Sequence, residues 1–286
     1  MSVHGRPLWS STGAGVLYYN CATGRQLAYL VPESALQFGF VGDPVGTHTS
    51  RTMMLADLRL LLAACPPTAT LEQYRSEVVE GNVLLKKTAS TRRESFRRLR
   101  ELYALNPSIV LFRALRDLWN DDLQAQPLLA LLCAVARDPI LRTTGELILR
   151  TPIGDGITPQ MISGAIEKNL PNRYSPIILA NIGRHAASSW RQSGHLAGRA
   201  RKSRSRVKAT PASLAYALLL GHLCGARGEG LFQTLWSRLL DSPVHSLYEL
   251  ATAASQRGYI EYRHSGSVIE ISFRYLLRDP QTDKGQ

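Results

Sequence analysis

The chain has 286 residues, of which 44% are hydrophobic, and its formal net charge is +12 at pH 7. This length and composition suffice for one large domain or two small ones with hydrophobic cores. The apolar stretches are too short to cross a bilayer and no signal peptide is visible, so we expect a cytoplasmic protein without membrane insertion. The four cysteines (Cys21, Cys65, Cys133 and Cys224) form no CxxC pair, which favours buried free thiols over a structural metal site.

Residues 1–48 differ from the rest of the chain. They are rich in Gly, Ser, Thr and aromatic residues, and their periodicity is weak. The stretches "GVLYYN" (15–20) and "QLAYLV" (26–31) are compatible with short strands, and the whole segment is equally compatible with a loosely ordered leader. The helical pattern begins near Met53 and Met54, so a translation start downstream of Met1 is also compatible with the sequence.

Residues 49–151 form the predicted N-terminal helical domain, because their apolar residues recur with the period of packed helices. The pattern predicts helices within 52–64, 70–81, 90–105, 107–122, 126–138 and 139–151. Thr91 is followed three residues later by Glu94, which predicts a capping box at a helix start. The loop "PIGDG" (152–156) separates this domain from the next.

Residues 152–277 form the predicted C-terminal helical domain. Thr158, Ser175 and Thr210 each precede a proline, an arrangement typical of an N-cap residue before the first helical position. The apolar stretch 211–226 is too short to span a membrane and is predicted to be a buried core helix, as is 127–136.

The end of this domain changes from helix to strand. Ser246 and Glu249 predict a second capping box, and "YIEYR" and "SVIEISFR" then flank "HSG" with a period of two, which predicts a β-hairpin. Ile269, Ile271 and Phe273 share one face of it. A helix followed by a hairpin is typical of the end of a winged-helix module, and the tail 278–286 is predicted to be disordered. The fold class is therefore mainly α, with two small helical subdomains and a winged-helix-like C-terminal hairpin.

The positive charge is concentrated in one region. Residues 169–228 contain ten Lys and Arg side chains and no Asp or Glu. The remainder of the chain is almost neutral, so the imbalance is local. A field of one sign attracts polyanions, with nucleic acid as the first candidate and an anionic membrane surface as the second.

One helix, 175–194, is predicted to present a polar face within this region. Its apolar side carries Leu179, Ile182, Ala186 and Trp190. The opposite side carries residue types that contact phosphates and base edges, namely Asn181, Arg184, His185, Ser188, Arg191 and Gln192. A solvated helix face is the alternative interpretation.

The segment 195–208, "HLAGRARKSRSRVK", follows that helix. We predict that it is a basic loop or arm that becomes ordered on a polyanion. Its candidate nucleic-acid contacts are His195, Arg199, Arg201, Lys202, Arg204, Arg206 and Lys208.

A second basic site lies earlier in the chain, at 84–101. Its candidate nucleic-acid contacts are Lys86, Lys87, Arg93, Arg97 and Arg100. The same helix places Glu94 four residues before Arg98 and Arg97 four residues before Glu101, which is ordinary surface pairing, so the face is also compatible with a role in solubility alone. If the two basic surfaces are adjacent in the fold, they form one groove.

Enzyme signatures are missing from the sequence. It contains no P-loop, no GxGxxG after a strand, no GxSxG, no HExxH and no paired acidic motif that would hold magnesium. We therefore expect a non-enzymatic protein without a catalytic residue, a cofactor or a metal ion.

Several blocks of the sequence resemble the BrxA family of bacteriophage exclusion (BREX) systems. They are "NVLLKKTASTRRESFRRLRELYAL", "LFRALRDLW", "PLLALLCAVARDPILR", "SSWRQSGHLAGRARKSR" and "AYALLLGHLCGARGEGLFQTLW", and the resemblance covers about residues 50 to 277. It implies a mostly helical, non-enzymatic, DNA-binding protein of an anti-phage operon. That operon is expected to encode a methyltransferase, an alkaline-phosphatase-like protein and a large ATPase as possible partners. The family has also been likened to a helical RNA-binding antitermination factor.

The sequence is therefore compatible with two functions. The first is a double-stranded DNA-binding component of a BREX-type defence system that contacts mainly the phosphate backbone. The second is a helical RNA-binding or scaffolding protein whose basic arm docks a partner. A preference for structured RNA, or co-purification with a protein partner without nucleic-acid binding, would favour the second.

Overall fold

A computed structural model describes residues 19–20, 25–26, 31–43, 46–266 and 268–278. Tyr19–Asn20 (β1) and Arg25–Gln26 (β2) form a short antiparallel pair. β1 lies inside the first stretch predicted as a strand, and β2 lies at the border of the second. Most of those two stretches lies outside the described residues, and so do Cys21 and nearly all of the tail 278–286.

The described part of the chain is mainly helical, as predicted. Its α-helices are α1 (Leu55–Ala64), α2 (Leu71–Val79), α3 (Ala89–Tyr103), α4 (Val110–Trp119), α5 (Gln126–Arg137), α6 (Pro139–Thr143), α7 (Gly145–Arg150), α8 (Pro159–Asn169), α9 (Pro176–Gln192), α10 (Pro211–Leu223), α11 (Leu235–Arg238), α12 (Val244–Gln256) and α13 (Arg274–Leu277). Short 3₁₀ helices occupy Glu33–Phe38, Thr47–Thr49 and Gly228–Gln233.

The strands form two-stranded antiparallel pairs. Besides β1 and β2 they are β3 (Leu196–Ala197), β4 (Ser203–Arg204), β5 (Glu261–Ser265) and β6 (Val268–Ser272). The predicted C-terminal hairpin is confirmed, with Tyr262 opposite Ile271 and His264 opposite Ile269. Phe273, just after β6, is buried.

Helix starts test the capping predictions directly. Thr158, Ser175 and Thr210 each accept a backbone N–H through the side-chain oxygen, and proline follows each, so these three caps are confirmed. The capping box at Thr91 is wrong, because α3 begins three residues earlier with Thr88 as its cap. The box at Ser246 is also wrong, because α12 begins after Pro243 and its N-cap makes no side-chain hydrogen bond.

The buried side chains form one connected hydrophobic cluster that runs from Ala35 to Leu276. The stretches predicted as core helices, α5 and α10, lie inside it with nearly every residue buried. The Tyr216 hydroxyl on α10 donates to the Leu111 carbonyl on α4 at 2.9 Å, so helices from both predicted domains share this core. The boundary at 152–156 remains a prediction.

Three of the four cysteines lie in the described part of the chain. Cys65, Cys133 and Cys224 are buried free thiols, as expected. Burial raises the pKa of Cys133 to about 11, so this thiol is protonated at neutral pH. In the described residues, no helix combines the length and apolar character needed to cross a membrane.

Residues 31–43 and 46–50 form a strap over α5 and α6. Ala35, Phe40 and His48 are buried in the core. Two arginines hold the strap's backbone, because Arg137 donates to the Gly39 carbonyl and Arg142 donates to the Val41 carbonyl at 2.8 Å. The described portion of the predicted leader is thus packed into the fold.

Candidate nucleic-acid interface

A cleft of about 610 Å³ opens at the first turn of α1. One wall is the stretch from Arg51 to Arg59. The others come from Lys86 and the start of α3 and from Arg191 and Gln192 at the end of α9. We call it the α1 cleft. It brings together residues from the two basic segments that the sequence predicted separately.

The walls of the α1 cleft are fixed by direct hydrogen bonds. The Leu55 N–H, at the start of α1, donates to the Gln192 Oε1 at 3.0 Å and so joins α1 to α9. Outside the cleft, the Thr47 hydroxyl donates to the Glu101 Oε2 at 2.8 Å and joins the strap to α3. Met54 adopts φ = 53°, in the left-handed region, where the chain turns into α1.

Positive charge dominates the α1 cleft. Arg51, Arg59, Lys86 and Arg191 line it, against the single carboxylate of Asp57. Lys86 donates to Asp57 at 2.8 Å, and these two charges largely cancel. The three arginines make no ion pair with any described residue, so they hold the uncompensated charge of the cleft.

Arg51 and Arg59 were not among the predicted contacts. Neither residue has another Lys or Arg beside it in the sequence, so no run of positive charge pointed to it. The fold places them beside the first turn of α1, where the helix dipole adds a partial positive charge. Only the tertiary arrangement makes them part of a basic site.

The predicted polar face of α9 is present. Asn181, Arg184, Ser188 and Arg191 lie at helical spacing along one side, while Ile182, Ala186 and Trp190 on the other side are buried. We call Asn181, Arg184, Ser188 and Arg191 the α9 stripe. Arg184 and Arg191 are exposed and have no acidic partner among the described residues, and Arg184 donates to the Asn181 amide oxygen.

His185 belongs to the same helix but faces the strap. Its Nδ1 lies 3.0 Å from the His48 carbonyl oxygen, and burial lowers its pKa below the ordinary value. It is therefore mostly neutral at pH 7 and adds little to the positive field of the α9 stripe.

The basic face of α3 is largely neutralised. Glu94 accepts from both Arg97 and Arg98, and Glu101 pairs with the same two arginines. The hydrogen bond from Arg97, together with the nearby Arg98, lowers the pKa of Glu94 to about 2, so this carboxylate is ionised at neutral pH. The predicted pairings of Glu94 with Arg98 and of Arg97 with Glu101 are confirmed.

The remaining predicted contacts on this side lie around the same helix. Lys87, Arg93 and Arg100 are exposed and have no acidic partner within the described part of the chain. Lys86 lines the α1 cleft, and Phe96 and Leu99 face the core.

The segment 195–208 forms a hairpin packed against the rest of the fold, and its ordering on a polyanion remains a prediction. β3 and β4 pair antiparallel, and the hairpin docks on the loop at 152–157 through backbone hydrogen bonds such as Arg204 N–H to the Asp155 carbonyl at 2.8 Å. Gly198 adopts φ = 88°, and a Cβ there would lie 2.1 Å from the Arg201 carbonyl oxygen. We call residues 195–208 the basic hairpin.

Two predicted nucleic-acid contacts in the basic hairpin are wrong. His195 is 0% exposed, and Arg204 is 2% exposed. The Arg204 guanidinium pairs with Asp241 at 2.9 Å and donates to the Ile148 carbonyl at 2.9 Å. A phosphate cannot reach either side chain in this fold. Arg199, Arg201, Arg206 and Lys208 are exposed, and Lys202 is half-buried with its ammonium on the Arg199 carbonyl.

The surroundings of His195 keep it neutral. Its Nε2 lies 2.8 Å from the Leu239 carbonyl oxygen and its Nδ1 lies 2.9 Å from the Ser193 hydroxyl. Burial lowers its pKa to about 3, because a charged imidazole would lose its hydration there. His195 is therefore a structural residue that fixes the start of the basic hairpin.

A buried polar network lies beneath the strap and beside the α9 stripe. His48 Nδ1 lies 2.7 Å from Asp138 Oδ2, and His48 Nε2 lies 2.8 Å from the Ser189 Oγ. Burial alone would raise the pKa of Asp138, but the attraction of His48 and its hydrogen bonds hold that pKa below its ordinary value. Asp138 also caps α6 by accepting the Ile140 N–H.

The hydrogen-bonded series of Ser189, His48 and Asp138 has the same residue types as the catalytic triad of serine hydrolases. Here all three side chains are at most 1% exposed, so no substrate reaches Ser189 in this structure. The Ser189 Oγ also accepts the Met53 N–H at 2.8 Å, a bond that would oppose attack on a substrate. The network ties the strap, α6 and α9 together, and the sequence separates its members too widely for a local motif to reveal it.

No protein-family model and no curated protein matches this chain. Among the described residues, no group of three or more metal-ligating side chains is placed to hold a metal ion.

Proposed function

We propose that this protein is a cytoplasmic, non-enzymatic, double-stranded DNA-binding component of a BREX-type anti-phage defence system. It contacts mainly the phosphate backbone. The methyltransferase, the phosphatase-like protein and the ATPase of such a system are its proposed protein partners, as the resemblance to the BrxA family implies.

The observation that carries DNA binding is the set of unpaired cations around α9. Arg184 and Arg191 project from the α9 stripe without an acidic partner in the described chain, and Arg191 leads into the α1 cleft. The exposed cations of the basic hairpin follow α9 directly in the chain. Cations that are free in the unbound protein can neutralise phosphates without first breaking an ion pair.

The spacing along α9 also supports backbone contact. Arg184 and Arg191 are two helical turns apart, which corresponds to roughly 10 Å along the axis. Successive phosphates on one DNA strand rise by about 3.4 Å along the duplex axis, so two arginines at this separation can contact two different phosphates. Ser188, between the two arginines, and Asn181, one turn before Arg184, add neutral hydrogen-bonding groups.

The test is a mobility-shift measurement on equal-length duplex DNA and duplex RNA across a salt series. We expect retention of DNA that weakens steeply between about 50 and 200 mM salt, since each phosphate contact adds roughly 0.9 to the slope of log affinity against log salt. Stronger retention of the RNA duplex would favour the RNA-binding alternative. No retention of either at the lowest salt would contradict nucleic-acid binding and favour the scaffolding alternative.

Two charge-reversal variants locate the surface. One combines Arg184→Glu with Arg191→Glu, and the other combines Arg199→Glu, Arg201→Glu and Arg206→Glu. Arg204 is left unchanged because it is buried and paired with Asp241. Both variants should lose retention while keeping the wild-type helical content by circular dichroism.

A matched control carries Arg75→Glu and Arg257→Glu. These exposed arginines lie on α2 and after α12, outside the α1 cleft, the α9 stripe and the basic hairpin. The control changes net charge as much as the α9 variant does. If it loses as much DNA affinity, net charge rather than this surface governs binding.

A further inference from the structure

The α1 cleft is larger than a phosphate contact requires. Its volume of about 610 Å³ lies within the range of roughly 300–1,000 Å³ that is typical of pockets for small organic ligands. It is bounded by three separate parts of the chain, which the Leu55–Gln192 hydrogen bond and the Lys86–Asp57 ion pair hold in place. The cleft is therefore built into the fold of the unbound protein.

The charge of the α1 cleft indicates an anion with more than one negative charge. Lys86 and Asp57 form an ion pair, and Arg51, Arg59 and Arg191 remain without acidic partners among the described residues. Arg51 and Arg59 each spend one guanidinium N–H on a neutral oxygen, that of Ser50 and Gln126 respectively. Their other donors are available, and guanidinium groups bind phosphate oxygens in pairs.

The first turn of α1 adds backbone donors to the same wall. The first N–H groups of a helix have no partner within it. Gln192 takes the Leu55 N–H and Thr52 takes the Met54 N–H, whereas those of Ala56 and Asp57 make no hydrogen bond to a described residue. The helix dipole points its positive end at this place.

The same walls also carry apolar surface. Ala56 is exposed in the α1 cleft beside the arginines, Met54 and Leu55 contribute only small exposed edges, and Thr91 of α3 supplies an exposed hydroxyl group. An inorganic anion would leave Ala56 and the Thr91 hydroxyl unused. A ring system with a ribose attached matches them, since guanidinium groups stack on nucleobases and a hydroxyl group can bind a ribose.

We propose that the α1 cleft binds a free nucleoside diphosphate or triphosphate. The phosphates lie at Arg51, Arg59 and Arg191 and at the first turn of α1, and the nucleoside lies against Ala56 and Thr91. This site shares Arg191 with the proposed DNA surface, whereas Arg184 and the basic hairpin lie outside the α1 cleft.

The test uses fluorescence anisotropy of N-methylanthraniloyl-ADP (mant-ADP) with the full chain. The combined Arg59→Ala and Arg191→Ala variant should weaken mant-ADP binding by roughly a hundredfold, about tenfold for each lost arginine–phosphate contact. Both side chains are exposed, so the variant should keep the wild-type melting temperature. Wild-type affinity in this variant would overturn the proposal.

A second variant blocks the cleft and leaves its charge unchanged. Ala56 is exposed and lines the α1 cleft, so Ala56→Phe should fill it and abolish mant-ADP binding. Arg184→Ala is the matched control, because it removes a cation from the same helix as Arg191 but outside the cleft. It should weaken duplex binding and leave mant-ADP binding unchanged, which separates failure of this proposal from failure of DNA binding.

Competition identifies the ligand class. Unlabelled ADP and ATP should displace mant-ADP at concentrations at least tenfold lower than pyrophosphate or adenosine. Equal displacement by pyrophosphate would overturn the nucleoside part of the proposal and leave an anion site. Displacement by a short DNA duplex but not by ADP would show that the cleft belongs to the DNA path and would overturn the proposal.

Discussion

Two arginine-rich helices border the same cleft, and they differ in what surrounds their guanidinium groups. On α3, Glu94 and Glu101 hold Arg97 and Arg98 in a four-membered network. On α9, Arg184 and Arg191 have no acidic partner within the described residues. Counting positive residues treats the two helices as similar, whereas binding depends on which cations are free to accept a new anion.

The basic hairpin repeats this contrast on a smaller scale. Arg199 and Arg204 are both arginines in the same acid-free segment. Arg199 is exposed, and Arg204 is buried against Asp241 and the Ile148 carbonyl. One arginine is available for a ligand, and the other holds the hairpin in place.

The largest expected effect is a difference in the free energy of unfolding between substitutions of Arg204 and Arg199. Arg204→Ala should lower the free energy of unfolding by about 3–5 kcal/mol, because it leaves Asp241 without its charged partner and removes buried hydrogen bonds. Arg199→Ala should change the free energy of unfolding by less than about 0.5 kcal/mol. Urea denaturation followed by circular dichroism measures both. Equal stability of the two variants would contradict the assignment of Arg204 as a structural residue.

The pH dependence of the free energy of unfolding tests whether His195, like Arg204, is a buried structural residue. Its pKa is about 3 in the folded protein and about 6.5 when unfolded, so the unfolded state binds more protons between these values. Stability should therefore be intact above pH 6.5 and fall by about 1.4 kcal/mol per pH unit below it. His195→Gln should reduce that slope between pH 6.5 and 5. His185 and His222, whose pKa values are also lowered, contribute in the same direction and remain in the variant.

A direct comparison of α9 with α3 uses single neutral substitutions. Arg191→Gln should weaken duplex DNA binding roughly tenfold and reduce the salt slope by about one, since it removes one phosphate contact. Arg97→Gln should change affinity by less than about twofold, because Glu94 and Glu101 already neutralise Arg97. Mobility shifts at several salt concentrations measure both slopes. Equal losses would mean that ion pairing does not decide which arginines bind.

The smallest expected effect comes from releasing the arginines of α3. Glu94→Gln removes one carboxylate from the network, so Arg97 and Arg98 gain freedom to contact phosphate. We expect duplex DNA affinity to rise about two- to threefold at low salt and the gain to vanish at high salt, as screening predicts. Gln73→Glu, at an exposed position on α2, is the control for an opposite change in net charge.

Much of the fold could be predicted because its signals are local. The proline-marked caps at Thr158, Ser175 and Thr210, the buried face of α9, and the C-terminal hairpin follow from periodicity and capping chemistry within a few residues. The capping boxes at Thr91 and Ser246 failed because a four-residue pattern also occurs inside helices. A tertiary contact or an earlier cap then decides where the helix begins.

The candidate site was only partly predictable. The sequence indicated Arg184 and Arg191 correctly as members of one exposed face, because helical spacing places them there. It could not indicate that His195 and Arg204 are buried, since their partners Leu239 and Asp241 lie far along the chain. It also gave no sign of Arg51 and Arg59, which join the site only through the packing of α1.

The sequence by itself determined the helical class, the positions of most helices and the existence of an acid-free basic region, because composition and periodicity are properties of neighbouring residues. The tertiary structure decided which cations are free, which are paired and which are buried. It also placed α1, α3 and α9 around one cleft. Burial and ion pairing depend on residues that are distant in sequence, and only the folded chain brings them within reach of one another.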